Sequence, residues 1–143
     1  MINKNRFSEL TVRPHYPSRC LLEHLEITGG GSKQRKLAVD AVDFAIKNLI
    51  PRYKNFYITL NLSKLNNCFE FDDREYIIEI NKKQSHDDFL TAIFHEMVHV
   101  KQYLRKQLDE YWFDTYEEYI NDPNEKEAFK LQEELLEKWK LKN

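Results

Sequence analysis

The sequence predicts an α+β fold in which a small mixed sheet of three to four strands packs on two helices, with a further helix at the C-terminal end. Three observations predict it. Short runs rich in β-branched and aromatic residues, bounded by Asn, Asp, Lys or Gly, fall between residues 20 and 80. A helical period fills residues 32–50, between the first and second of these runs. Two more helical periods follow the last run, so strands and helices are partly segregated along the chain.

Residues 1–19 carry Pro14 and Pro17 without periodicity and are expected to form an irregular arm, with residues 20–143 as one domain. Cys20 to Ile27 is the first expected strand, closed by Gly29-Gly30-Gly31 as a strand-to-helix turn. The triplet lacks the Lys-Ser/Thr ending and the spacing of phosphate-binding loops. Ser32 is the expected N-cap of a scaffold helix reaching about Ile50, with Leu37, Val42, Ala45, Ile46 and Leu49 on its apolar side and Pro51 as its stop.

Phe56 to Leu62, Cys68 to Phe71 and Tyr76 to Ile80 are the next expected strands. Asp72-Asp73 between two of them suits a hairpin turn, the other use of such a pair being a cation such as Ca²⁺. Ser85 with Asp88 forms a capping pair for the following helix, which places His86 and Asp87 in its first turn and runs to about residue 108. Asp122 as N-cap and Pro123 at the first position open the last helix.

The chain has 143 residues, of which 41% are hydrophobic and 13% aromatic, enough to bury a core in one domain. Its 22 basic and 24 acidic residues leave a net charge of −2, so no basic footprint points to nucleic acid or to an anionic membrane. No signal-peptide pattern and no apolar run of about 18 residues is present, which makes a cytoplasmic protein the expectation. Cys20 and Cys68 lie far apart without CxxC spacing and are expected to be free thiols.

The chemistry centres on His95-Glu96-Met97-Val98-His99, an HExxH sequence within the helix that begins near Ser85. Residues four apart lie on one helix face, so His95 and His99 can turn imidazole nitrogens to one Zn²⁺, with Glu96 beside it as a general base. On a wheel of about 100° per residue, both histidines fall away from the side holding Leu90, Ile93, Met97 and Val100, and Ala92 leaves room one turn before them. The histidines are His15, His24, His86, His95 and His99, so a third ligand from the C-terminal part has to be a carboxylate. Glu125 faces inward on the last helix and Glu127 outward, which favours Glu125. As third residue of its helix, Glu125 could instead complete a capping box with Asp122.

The HExxH sequence together with Tyr119 to Ala128, where Glu125 stands three residues before Ala128, resembles the small gluzincin-type zincin metallopeptidases called minigluzincins. It is also similar to the short SprT-like metallopeptidase-like proteins of bacteriophages. The likeness covers about residues 75–140 and implies a zincin-like fold, Zn²⁺ as cofactor, His95, His99 and Glu125 as ligands and Glu96 as general acid/base. Two positions depart from the pattern: no histidine follows the motif as in SprT-type proteins, and Phe129 stands where several gluzincin groups carry Asp or Asn to orient a motif histidine.

The function this implies is zinc-dependent hydrolysis of peptide bonds in a peptide or protein substrate. Tyr103, Tyr111, Tyr116 and Tyr119 are available as oxyanion donors, and Tyr119 is the candidate on the approach to Glu125. Substrate would lie extended along a sheet edge, the Tyr76 to Ile80 strand being the one expected. The alternative is a non-catalytic protein on the same fold, such as a phage component or a regulatory module with a vestigial or structural metal site and a partner protein in place of a substrate. Regulators of the ImmA type, which cleave repressors, differ only in substrate; a phage-encoded chain would act in the host cytoplasm or the virion.

Overall fold

The computed structural model describes residues 25–108 and 115–142. The expected arm over residues 1–19, the first part of the expected strand with Cys20 and His24, and Tyr111 lie outside them.

The described residues form a mixed α+β structure of four strands and four helices. In chain order these are β1 (Leu25–Thr28), α1 (Ser32–Leu49), β2 (Tyr57–Ser63), β3 (Asn67–Asp72), β4 (Glu75–Asn81), α2 (His86–Leu104), α3 (Tyr116–Asn121) and α4 (Pro123–Lys142). The sheet order is β1-β2-β4-β3, with β1, β2 and β4 parallel and β3 antiparallel to β4. The chain therefore crosses from β2 to the far edge, makes β3, and returns through a hairpin to fill the gap with β4.

That order corrects one expectation. The strand holding Tyr76 to Ile80 is flanked by β2 and β3, so its backbone groups are taken up by both neighbours and it offers no edge. Among the described strands, the edge strand beside α2 is β3.

Two further differences have local causes. Ser32 does not cap α1: extended Gly31 stands at the cap position with no side-chain cap bond, and its carbonyl accepts from Arg35 N at 2.9 Å. The α2 helix stops at Leu104 and not near residue 108, because Lys106 turns left-handed at φ 57° and its N–H bonds to the Tyr103 carbonyl. The hairpin turn falls where expected, with Asp72 Oδ1 accepting from Asp73 N at 2.8 Å and Arg74 at φ 58°. Neither Asp72 nor Asp73 joins a metal-binding group among the described residues.

The strand-to-helix turn depends on glycine at a defined point. Gly29 has φ 80°, and a Cβ there would meet the Leu62 carbonyl oxygen at 2.5 Å. Gly29→Ala is therefore expected to destabilise the fold by more than about 1 kcal/mol, read as a lower midpoint in denaturant unfolding.

Alternation on the strands places Ile58, Leu60, Ile78 and Ile80 on the face that meets α1 and α2. Against them α1 presents Ala38, Val42, Ala45 and Ile46, and α2 presents Leu90, Ile93, Phe94 and Met97. The α2 helix is buried on the motif side as well, because α4 covers the side that the sequence pattern leaves polar. Trp139 docks α4: its ring meets Phe44 edge-on at 5.4 Å and Phe94 at 6.1 Å. Lys140 adds an ion pair to Asp87 at 2.6 Å, both side chains about half exposed, a contact of small energetic value. Trp139→Ala is expected to cost about 3–5 kcal/mol, checked by urea unfolding, and to loosen the helix that carries Glu125.

Candidate metal centre

Cap chemistry sets the two helices that build the site. The Ser85 hydroxyl accepts from Asp88 N at 3.2 Å, which starts α2 in the frame that brings His95 and His99 to one side three turns later. At the start of α4, Asp122 Oδ1 accepts from Asn124 N at 2.9 Å and Glu125 N at 3.2 Å. Asp122 thus caps the helix through its own side chain. The Glu125 carboxylate does not return to the Asp122 N–H, which donates to the Tyr119 carbonyl at 3.3 Å, so it is free to face α2.

Glu125 meets both motif histidines. Its Oε1 lies 3.1 Å from His95 Nε2, and its Oε2 lies 2.9 Å from His99 Nε2. The ligand-type atoms of these three buried residues all fall within 4.8 Å of one another. They form the one group of three or more such side chains, among the described residues, that could hold a metal ion. Glu127, the other acid weighed for this place, is half-buried and turned aside. Its carboxylate accepts from Gln102 Nε2 at 2.9 Å and from Lys101 Nζ at 3.2 Å, which corrects the expectation that it points to solvent.

Each imidazole meets an acceptor at both ring nitrogens. His95 Nδ1 faces Gln132 Oε1 and His99 Nδ1 faces Gln102 Oε1, each at 2.7 Å, while both Nε2 atoms face Glu125. A neutral imidazole carries one N–H and an ionised Glu125 only accepts, so protons alone satisfy this arrangement only if both buried rings are cationic. One divalent cation among the two Nε2 atoms and the carboxylate removes the conflict, and a two-His, one-Glu set is a donor set zinc takes in catalytic sites. The residues present fit the ion.

The electrostatics follow the same contacts. Burial would raise the Glu125 carboxyl, but the bonds and charge of His95 and His99 win and hold it at about 2. Burial would lower His99, yet the bond to Glu125 and the charge of Glu96 leave it above its usual value. Stability from Glu125 is thus present above its unfolded value near 4.5 and lost as pH falls toward about 2. Stability from His99 is full below its unfolded value near 6.5 and lost as pH rises past its raised one. Protein kept in chelator is expected to gain most from this cluster between pH 4.5 and 6.5, read as a thermal midpoint that declines on both sides.

Glu96 is buried beside the pair, and desolvation raises its pKa against the lowering charge of His95 and His99. Tyr119 is half-buried and bonds to Glu125; burial first, then the charges of Glu125 and Glu96, raises its pKa and keeps the hydroxyl protonated. Two of the other candidate tyrosines are described. Tyr103 stacks on Tyr76 of the sheet at 5.7 Å, and Tyr116 is 75% exposed beside the Tyr119 ring. His86 is exposed in the first turn of α2. Phe129 packs its ring 4.9 Å from that of His95 and offers it no polar partner.

The residues that pattern reading missed are Gln102 and Gln132. Gln102 lies seven residues after His95, and Gln132 seven after Glu125. Two turns of helix bring each back to within about 20° of the same stripe. A polar residue on that stripe was the available signal.

No family model, no curated protein and no solved structure matches this chain.

Proposed function

We propose that this chain is a zinc-dependent metallopeptidase of the zincin type, with the gluzincin ligand set His95, His99 and Glu125. The observation that carries the reading is the convergence of both motif histidines on Glu125, a residue 26 positions later in sequence than His99, with the Glu96 carboxylate buried next to them. Three protein ligands suit an ion that keeps a further position for reaction.

Zinc held there supplies Lewis-acid polarisation of a peptide carbonyl and acidifies water. Glu96 takes the proton of the attacking water on its carboxylate and passes it to the leaving amine. Its burial favours this, since a carboxyl held above the usual range binds that proton more firmly. Tyr119, whose hydroxyl stays protonated beside Glu125, would donate to the oxygen that gains charge at the attacked carbonyl. The β3 strand runs beside α2 and is the last of the described strands on that side, so an extended peptide that adds to the sheet would pair along β3. No helix among the described residues is long and apolar enough to cross a membrane.

The reading is tested by incubating the purified chain with an unfolded protein substrate and zinc. Cleavage that stops with a chelator and returns with added zinc is expected. Zinc uptake without cleavage of any unfolded substrate would favour the non-catalytic alternative, in which the same residues hold a structural ion.

A further inference from the structure

Both motif histidines are held from behind by the same kind of chain. On the buried side, His99 Nδ1 faces Gln102 Oε1 at 2.7 Å, and Gln102 Nε2 donates to the Asn124 carbonyl at 2.8 Å and to Glu127 Oε1 at 2.9 Å. On the outer side, His95 Nδ1 faces Gln132 Oε1 at 2.7 Å, and Gln132 Nε2 donates to Glu133 Oε1 at 3.2 Å. The direction of an amide group is set by what its NH₂ meets. Carbonyl and carboxylate oxygens only accept, so each NH₂ has to face them and each Oε1 has to face the imidazole. An acceptor at Nδ1 in turn requires a proton there, which leaves the lone pair of a neutral ring on Nε2, the atom that faces Glu125.

We infer that Gln102 and Gln132 are positioning residues that select the Nδ1–H form of His99 and His95 and so aim both Nε2 lone pairs at one cation. This rests on the metal-site reading of His95, His99 and Glu125. The two glutamines do the work that the family pattern assigns to an Asp or Asn at position 129, where this chain has Phe129. They do it from neighbouring places: Gln132 lies one turn beyond Phe129 on α4, and Gln102 lies on α2 itself. Gln102 is the stronger of the pair, because it is fully buried and no water can replace a lost acceptor there. Glu127 acts through it, as the carboxylate that keeps its amide from turning.

The test compares Gln102→Met and Gln132→Met, which keep side-chain length and remove the acceptor. In the zinc-loaded wild type, nitrogen-resolved NMR is expected to show a proton on His99 Nδ1 that exchanges slowly with water. Q102M is expected to weaken zinc binding by about 10–100-fold in chelator competition and to lose that slowly exchanging proton while the one on His95 persists. Q132M acts on His95 in the same direction and by less; being near the surface, it keeps the test open if Q102M does not fold. The exchange pair Q102E/E127Q returns an acceptor to Nδ1 but gives up the bond to the Asn124 carbonyl, and is expected to bring back the slowly exchanging His99 proton with part of the zinc affinity, which a mere cavity would not. Variants that bind zinc as the wild type does, with both Nδ1 protons unchanged, would overturn this inference alone. A wild-type chain that takes up no zinc would overturn it together with the metal-site reading.

Discussion

Glu96→Gln is expected to keep one zinc ion per chain and to lower peptide hydrolysis by about 100–10,000-fold, the range attributed to a positioned acid or base. The amide has the shape of the carboxylate but cannot accept a proton at neutral pH. Nothing in the ligand set changes, since His95, His99 and Glu125 do not depend on Glu96 for a hydrogen bond. Stability should hold or rise, because burial works against the Glu96 charge and the amide carries none. Turnover on an unfolded substrate, zinc content and a thermal midpoint, measured on the same preparation, separate loss of chemistry from loss of structure. Full hydrolysis by E96Q would remove Glu96 from the mechanism.

Glu125→Ala is expected to weaken zinc binding by more than about 100-fold, beyond what loss of a supporting residue costs, while Glu127→Ala costs about tenfold or less. The reason is positional. Glu125 contacts both imidazoles at 3.1 and 2.9 Å, whereas Glu127 reaches the site only through Gln102, whose amide keeps a second acceptor in the Asn124 carbonyl. The helix itself should survive E125A, because its start is capped by the Asp122 side chain on the N–H groups of residues 124 and 125, which the substitution leaves in place. Competition with a chromophoric chelator reads both affinities. Equal losses in the two variants would mean that the ion is not held by Glu125.

Local features of the chain were legible because they rest on local physics. The Ser85 cap, the Pro123 start, the hairpin at Asp72 and the stripe of α2 each depend on residues within a turn or two of one another. The inward bearing of Glu125 was legible for the same reason, from the apolar arc of its own helix. Strand order was not, since β3 lies at the edge and β4 inside only through pairings with a strand that precedes both. The burial of the histidine face was not legible either: it arises from α4, anchored far along the chain by Trp139 on Phe44 and Phe94. That docking also brings Gln132 to His95, a contact across 37 positions that no local pattern signals. Phe129 gives His95 a ring and no polar partner, and the docking of α4 brings the Gln132 amide to His95 from the next turn.

A metal site built by His95, His99 and Glu125 is tested most directly by the metal content of the chain after dialysis against zinc. One zinc ion per wild-type chain and none in His95→Ala is the predicted result. No zinc in the wild type, or an equal amount in H95A, would contradict it.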